Sequence, residues 1–83
     1  MIEDRIRGVI AAHARLSVDA ATLTDVEDLY AAGMTSHASV NLMLALENEF
    51  DVEFPDHMLR RSMFESIASI REALVELSVE NAA

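Results

Sequence analysis

Ser36-His37-Ala38-Ser39-Val40-Asn41-Leu42-Met43-Leu44-Ala45-Leu46-Glu47-Asn48-Glu49-Phe50 contains neither glycine nor proline, and its apolar residues recur at steps of three and four. That is the period of a helix laying one face on a core. The spacing predicts a helix over about 36–50 whose deep face is Val40, Met43, Leu46 or Glu47, and Phe50. The same period appears on both sides of it. Ile2, Ile6, Val9, Ile10, His13 and Leu16 predict a first helix over about 2–16, although Gly8 inside it costs about 1 kcal/mol against alanine. On that stripe His13 is expected to be a satisfied, partly buried histidine. Phe64, Ile67, Ile70, Leu74 and Leu77 predict a last helix over about 63–78, with Ser62 and Glu65 as a capping box at its start.

The link 17–35 is long for so small a chain. Its Leu23, Val26, Leu29 and Tyr30 are apolar anchors, so it is expected to pack against the helices, and Gly33 suits a turn requiring positive φ. Pro55 ends the Asp51–Phe54 segment and leaves room for one short helical turn over about 56–61. No strand-type alternation persists and there are no internal repeats. The expectation is an all-α bundle of three long helices and a short one in a single domain, 1–83, with a tail from Asn81 to Ala83 that frays.

The chain has 83 residues, 52% of them apolar, enough for one helical core. Without cysteine there is no disulfide framework, thiolate nucleophile or sulfur-ligated metal. No apolar run approaches the ~18 residues of a membrane span, and Met1-Ile2-Glu3-Asp4-Arg5 is charged where a signal peptide is apolar, so a cytoplasmic protein is expected. The net charge of −9 sits in the middle: no Arg or Lys falls between 16 and 59, whereas Asp19, Asp25, Glu27, Asp28, Glu47, Glu49, Asp51, Glu53 and Asp56 all do. Such a stretch repels nucleic acid and either attracts basic protein surfaces or serves solubility alone.

Catalytic and metal constellations fail one by one. His13, His37 and His57 have no paired ligand spacing. The acidic run Asp51–Asp56 lacks the sixth-position glycine and closing glutamate of a calcium loop. Gly8 and Gly33 make no phosphate-cradling loop, and a Ser-His-Asp pocket needs more chain than this. The expectation is a protein with no catalytic residues and no metal. Ser36 remains, after Gly33-Met34-Thr35 at the start of the second helix. Its hydroxyl can cap that helix, worth about 1 kcal/mol, or Thr35 can be the cap and leave Ser36 pointing outward.

Asp28-Leu29-Tyr30-Ala31-Ala32-Gly33-Met34-Thr35-Ser36, followed by Val40 through Asp56 with its Ala45-Leu46-Glu47-Asn48-Glu49-Phe50 and Pro55-Asp56 portions, resembles the acyl carrier protein family over about residues 26–77. The resemblance implies the four-helix bundle of that family. It further implies that Ser36 carries 4'-phosphopantetheine, added from coenzyme A by a separate Mg2+-dependent phosphopantetheinyl transferase. The cargo then rides as a thioester on the arm, and the protein performs no bond chemistry itself.

Where the family reads Asp-Ser-Leu, this chain reads Thr35-Ser36-His37, and the usual acidic places on the helix hold Ala38, Ser39 and Asn41. Partner contacts are therefore expected to be less electrostatic and to use Met34, Thr35, His37, Ala38, Asn41 and Leu42. The segment 35–41 is most similar to stand-alone bacterial aminoacyl carrier proteins, which are loaded by ligases resembling the catalytic core of a seryl-tRNA synthetase and pass the group to an acceptor enzyme. A monomer holding a small polar amino acid exposed, outside the bundle, is the expectation. The alternatives are an acyl carrier of a specialised lipid or polyketide pathway, and an acidic interaction module in which Ser36 only caps a helix.

Overall fold

The computed structural model describes residues 2–14, 16 and 19–82. Three long helices make the frame: α1 (Ile2–His13), α2 (Ser36–Phe50) and α3 (Ile67–Ala82). Short 3-10 turns lie at Ala20–Thr22, Asp56–Met58 and Arg61–Phe64, and no strand occurs among the described residues.

The core takes Ile6, Val9 and Ile10 from α1, and Ile67, Ile70, Ala73, Leu74 and Leu77 from α3. From α2 it takes Ala38, Leu42 and Leu46. With Met34 these residues form a ridge at steps of four, one of the rows by which helices interlock. The expected deep face is thus right at Leu46 and rotated off the centre of the core elsewhere. Val40 is 51% and Leu44 54% exposed, while Met43, Glu47 and Phe50 are half-buried at the flanks.

α1 stops at His13, short of the expected 16, and His13 is exposed rather than part of the stripe; buried Ala14 closes the helix through its N–H to the Ile10 carbonyl at 2.9 Å. Positions 15, 17 and 18 lie outside the described residues. The single short helix expected over 56–61 is two 3-10 turns separated by Arg60 in extended conformation, φ −118° and ψ 151°. Pro55 opens the first, its carbonyl accepting from Met58 N–H at 2.9 Å. The two turns sink Met58, Met63 and Phe64 into the core, where Phe64 meets Phe54 edge to face at 6.2 Å.

The capping box also lies elsewhere. Ser66 and Ser69 exchange backbone-to-hydroxyl bonds, Ser69 N–H to Ser66 Oγ at 3.1 Å and Ser66 N–H to Ser69 Oγ at 3.0 Å. α3 therefore begins at Ile67, not near 63. It runs to Ala82, so Asn81 and Ala82 are helical instead of frayed, and Ala83 lies outside the described residues.

The long link is packed, as its anchors suggest: Leu23 and Leu29 are buried and Tyr30 half-buried, but Val26 stands 78% exposed. Arg7 on α1 holds the link by donating to the Ala20 carbonyl and to Asp25 Oδ1, both at 2.9 Å. Arg71 of α3 reaches Glu3 of α1 at 3.2 Å. The Glu3 carboxyl is held below its ordinary value, first by its own backbone N–H and then by Arg71.

The phase of α2 is directly testable. Leu42→Ala empties a fully buried site and is expected to cost about 3 kcal/mol, near 10–20 °C of Tm for a chain this size. Leu44→Ala, on the exposed side, is expected to change stability by less than about 0.5 kcal/mol. Thermal melts of both variants would overturn the assignment if Leu44→Ala were the more damaging.

Candidate functional site

A tight turn delivers the chain to α2. Asp28 Oδ1 accepts from the N–H groups of Tyr30 at 2.9 Å and Ala31 at 3.3 Å. Gly33 N–H then bonds the Tyr30 carbonyl at 3.1 Å, and Met34 N–H the Leu29 carbonyl at 3.0 Å. Gly33 has φ 117°, a conformation that residues with a Cβ rarely adopt. Met34, buried, plugs the turn into the core.

Thr35 follows in extended conformation, and its Oγ1 accepts from Ala38 N–H at 3.0 Å, which makes it the N-cap of α2. The capping work expected of either Thr35 or Ser36 therefore belongs to Thr35. Ser36, the first helical residue, is exposed, and its hydroxyl makes no hydrogen bond among the described residues. Its carbonyl accepts from Ser39 Oγ at 2.6 Å, which steadies the first turn.

Ser36 opens onto a groove of about 420 Å³ between α2 and the turn at Arg61–Phe64. Val40 and Met43 line the α2 side, Tyr30, Phe64 and Leu59 the other, and Arg60 and Arg61 border it. A phosphopantetheine group fits these residues. The Ser36 oxygen is unengaged and accessible, the first-turn N–H groups that lack intrahelical acceptors favour an anion beside it, and the groove has apolar walls with cations at its border.

Of the expected partner-contact residues, the structure brings only some to the surface. Thr35 and His37 are exposed and Asn41 is half-buried, all in the first two turns of α2 or at its cap. Met34, Ala38 and Leu42 are core residues, at most 3% exposed, and present no side chain to a partner. Sequence reasoning missed Val40 and Leu44, which with Ser36 step by four along one outward face. It also missed Tyr30, Arg60 and Arg61, which the fold brings beside Ser36 from distant segments.

Charge is placed differently from its density in the sequence. Asp25, Glu27, Asp28, Glu47 and Glu49 are all engaged within the chain: Asp25 by Arg7, Glu27 by Thr24 N–H, and Asp28 in the turn before Gly33. Glu47 Oε2 accepts from Phe54 N–H at 2.9 Å, and Glu49 pairs with Arg5. Exposed Asp51, Glu53 and Asp56 lie at and beyond the C-terminal end of α2. The helix places its last residue, Phe50, fourteen steps from Ser36, about 21 Å at 1.5 Å per residue. The residues that line the groove beside Ser36 are neutral or cationic. No cluster of three or more potential metal ligands occurs among the described residues, and no helix there is long and apolar enough to cross a membrane.

Comparison with known proteins agrees with this geometry. Residues 4–75 match the family described as the phosphopantetheine attachment site. An aminoacyl carrier protein of Agrobacterium fabrum is 46% identical over 69 residues, 83% of either chain. Solved structures that contain similar chains include two crystal structures of complexes. In one, an engineered Bradyrhizobium japonicum glycine:carrier protein ligase is complexed with a carrier protein from Agrobacterium tumefaciens and ATP. The match has a TM-score of 0.89 and 42% identity, covering 92% of this chain and 99% of that one. In the other, the Bradyrhizobium japonicum ligase is complexed with a glycylated carrier protein, at TM-score 0.74 and 28% identity, covering 88% and 99%.

The division of labour between Thr35 and Ser36 predicts opposite sensitivities. Thr35→Ala is expected to lose about 1 kcal/mol with its cap, whereas Ser36→Ala should stay within about 0.5 kcal/mol. Denaturant melts of the apo-protein decide it, and the reverse order would return the cap to Ser36.

Proposed function

Because the chain belongs to the phosphopantetheine-attachment family, we propose that it is an aminoacyl carrier whose 4'-phosphopantetheine is esterified to Ser36. The observation that carries this reading is the free Ser36 hydroxyl. It stands exposed at the first residue of α2, relieved of capping by Thr35 and open to the groove. A serine that served only as a cap would have its oxygen turned to a backbone N–H.

A phosphopantetheinyl transferase supplies the arm. The Ser36 oxygen gives up its proton and takes the phosphopantetheinyl group of coenzyme A, whose adenosine bisphosphate half leaves. Once bound, the arm supplies a terminal thiol that holds the cargo as a thioester. The chain's own residues contribute position. The Gly33 turn and the Thr35 cap fix the oxygen at the helix start, where partly positive N–H groups offset the phosphodiester charge. Tethering replaces a bimolecular encounter by a local one and raises the effective concentration of cargo at a docked enzyme.

The cargo is a small amino acid, loaded by an ATP-dependent ligase of the seryl-tRNA-synthetase-like kind and passed to a separate acceptor enzyme, in the cytoplasm. Similarity to an aminoacyl carrier protein and to carrier chains complexed with glycine:carrier protein ligases supports this. The surface beside Ser36 supports it too. An aminoacyl group brings an ammonium, which gains nothing from apolar walls bordered by Arg60 and Arg61 and so stays in solvent.

Production alongside a broad-specificity transferase should add one phosphopantetheine to the intact mass of the wild type and none to Ser36→Ala. Incubating the holo-protein with ATP, glycine or other small amino acids and such a ligase should then add one aminoacyl residue, removable by hydroxylamine. A wild type that stays at the apo mass, or a Ser36→Ala variant that is modified, overturns the assignment.

A further inference from the structure

The groove beside Ser36 is bordered by two guanidinium groups, in a chain of net charge −9 with no Arg or Lys between 16 and 59. Arg61 lies over the ring of Tyr30, its Cζ 3.8 Å from the centroid. The Tyr30 hydroxyl donates to the Arg61 carbonyl at 3.3 Å, so ring and backbone hold the same residue from both ends. The ion pairs among the described residues use Arg5, Arg7 and Arg71; neither Arg60 nor Arg61 takes part in one.

A guanidinium seated over an aromatic ring is restrained by it, and its N–H donors, which lie in its own plane, remain available. The ring contact therefore leaves the fork free. A planar, permanently charged fork of this kind matches the paired oxygens of a phosphate, and Arg–phosphate contacts are often bidentate. Lysine in the same place would be a mobile point charge with no face to stack.

We propose that Arg61 is the phosphate seat of the arm carried by Ser36, with Tyr30 as the residue that positions it. Arg60 is a weaker second donor, because no ring restrains it among the described contacts and it also borders an adjoining groove lined by Glu72 and Glu76. The inference rests on the reading that Ser36 bears phosphopantetheine. It adds that the phosphodiester leans from α2 across the groove toward Tyr30, setting the direction in which the rest of the arm leaves the protein. The ligand class is a phosphodiester monoanion, and the seat belongs to this chain rather than to a partner enzyme.

The test uses 15N-labelled protein before and after conversion to the holo form, with the Nε–H signals of Arg60 and Arg61 assigned through Arg60→Gln and Arg61→Gln. Intact mass first establishes that the arm is attached; if it is absent, the underlying reading fails and not this one. With the arm in place at about 20 mM salt, the Arg61 signal should move most and that of Arg60 less, while those of Arg5, Arg7 and Arg71 stay. The Arg61 shift should shrink at about 0.5 M salt, where charge pairing at an exposed site is screened. Tyr30→Leu should reduce it several-fold and Tyr30→Phe, which keeps the ring, should largely preserve it. The 31P resonance of the phosphodiester should move in Arg61→Gln and not in Arg71→Gln. An Arg61 signal unmoved by an arm whose presence the mass demonstrates, or one moved equally in Tyr30→Leu, overturns the proposal.

Discussion

Two backbone hydrogen bonds fasten the link between α1 and α2 to the start of α3. Leu29 N–H donates to the Glu65 carbonyl at 2.7 Å, and Ala68 N–H donates to the Asp25 carbonyl at 2.8 Å. The second satisfies one of the first-turn donors that a helix leaves without an internal acceptor. Together they turn a long connection into a fixed wall. Leu29 is thereby seated in the core, Tyr30 faces the groove, and the turn through Gly33 has one exit direction. The link that leads to α2, and to Ser36, is thus tied to α3, while the body of α2 packs against α1. A link attached only through side chains such as Arg7 would leave that placement to exposed or half-exposed contacts, which contribute little.

The acidic middle of the chain reads differently once folded. Much of its charge is spent on construction: Asp28 builds the turn before Ser36, Glu47 ties Phe54 to the end of α2, and Asp25 anchors the link. Glu47 has a further part, since its carbonyl receives the N–H groups of both Asp51 and Val52 while Asp51 adopts φ 52° to end the helix. Exposed Asp51 and Glu53 lie beyond the C-terminal end of α2, opposite the end that carries Ser36. On α2, the outward residues near Ser36 are His37, Val40 and Leu44, with Asn41 half-buried, and no Asp, Glu, Lys or Arg falls on the helix before Glu47.

Much of this was legible from residues alone. The bounds of α2 were, because Thr35 is a strong cap and no breaker interrupts the next fifteen residues. The positive φ at Gly33 followed from the same short-range rules, whereas these left the cap open between Thr35 and Ser36, and the structure gives it to Thr35. The buried face of α2 was not, because Val40, Leu42, Met43, Leu44 and Leu46 are apolar all round the helix and period alone does not choose among phases. The choice is made outside the helix, by the turn that buries Met34 and extends its row through Ala38 and Leu42. The start of α3 was misplaced for a related reason. Ser62–Glu65 carries the familiar box pattern, but Met63 and Phe64 are drawn inward in a 3-10 turn, and a second serine pair, Ser66 and Ser69, closes the helix instead. Arg61 on Tyr30 joins residues 31 positions apart, and no local pattern announces it.

The arginines beside Ser36 also bear on what becomes of a thioester once it is made. An activated aminoacyl group is surrendered to any neutral amine or thiolate it meets, and a tethered one meets its own protein first. The six Lys or Arg positions of this sequence are all arginine, and there is no cysteine. A guanidinium stays protonated at any physiological pH and is no acceptor, whereas a lysine whose pKa had been lowered by its neighbours would be a competent nucleophile. The cations that border the groove thus supply charge without supplying an acyl acceptor, as lysines in their place would.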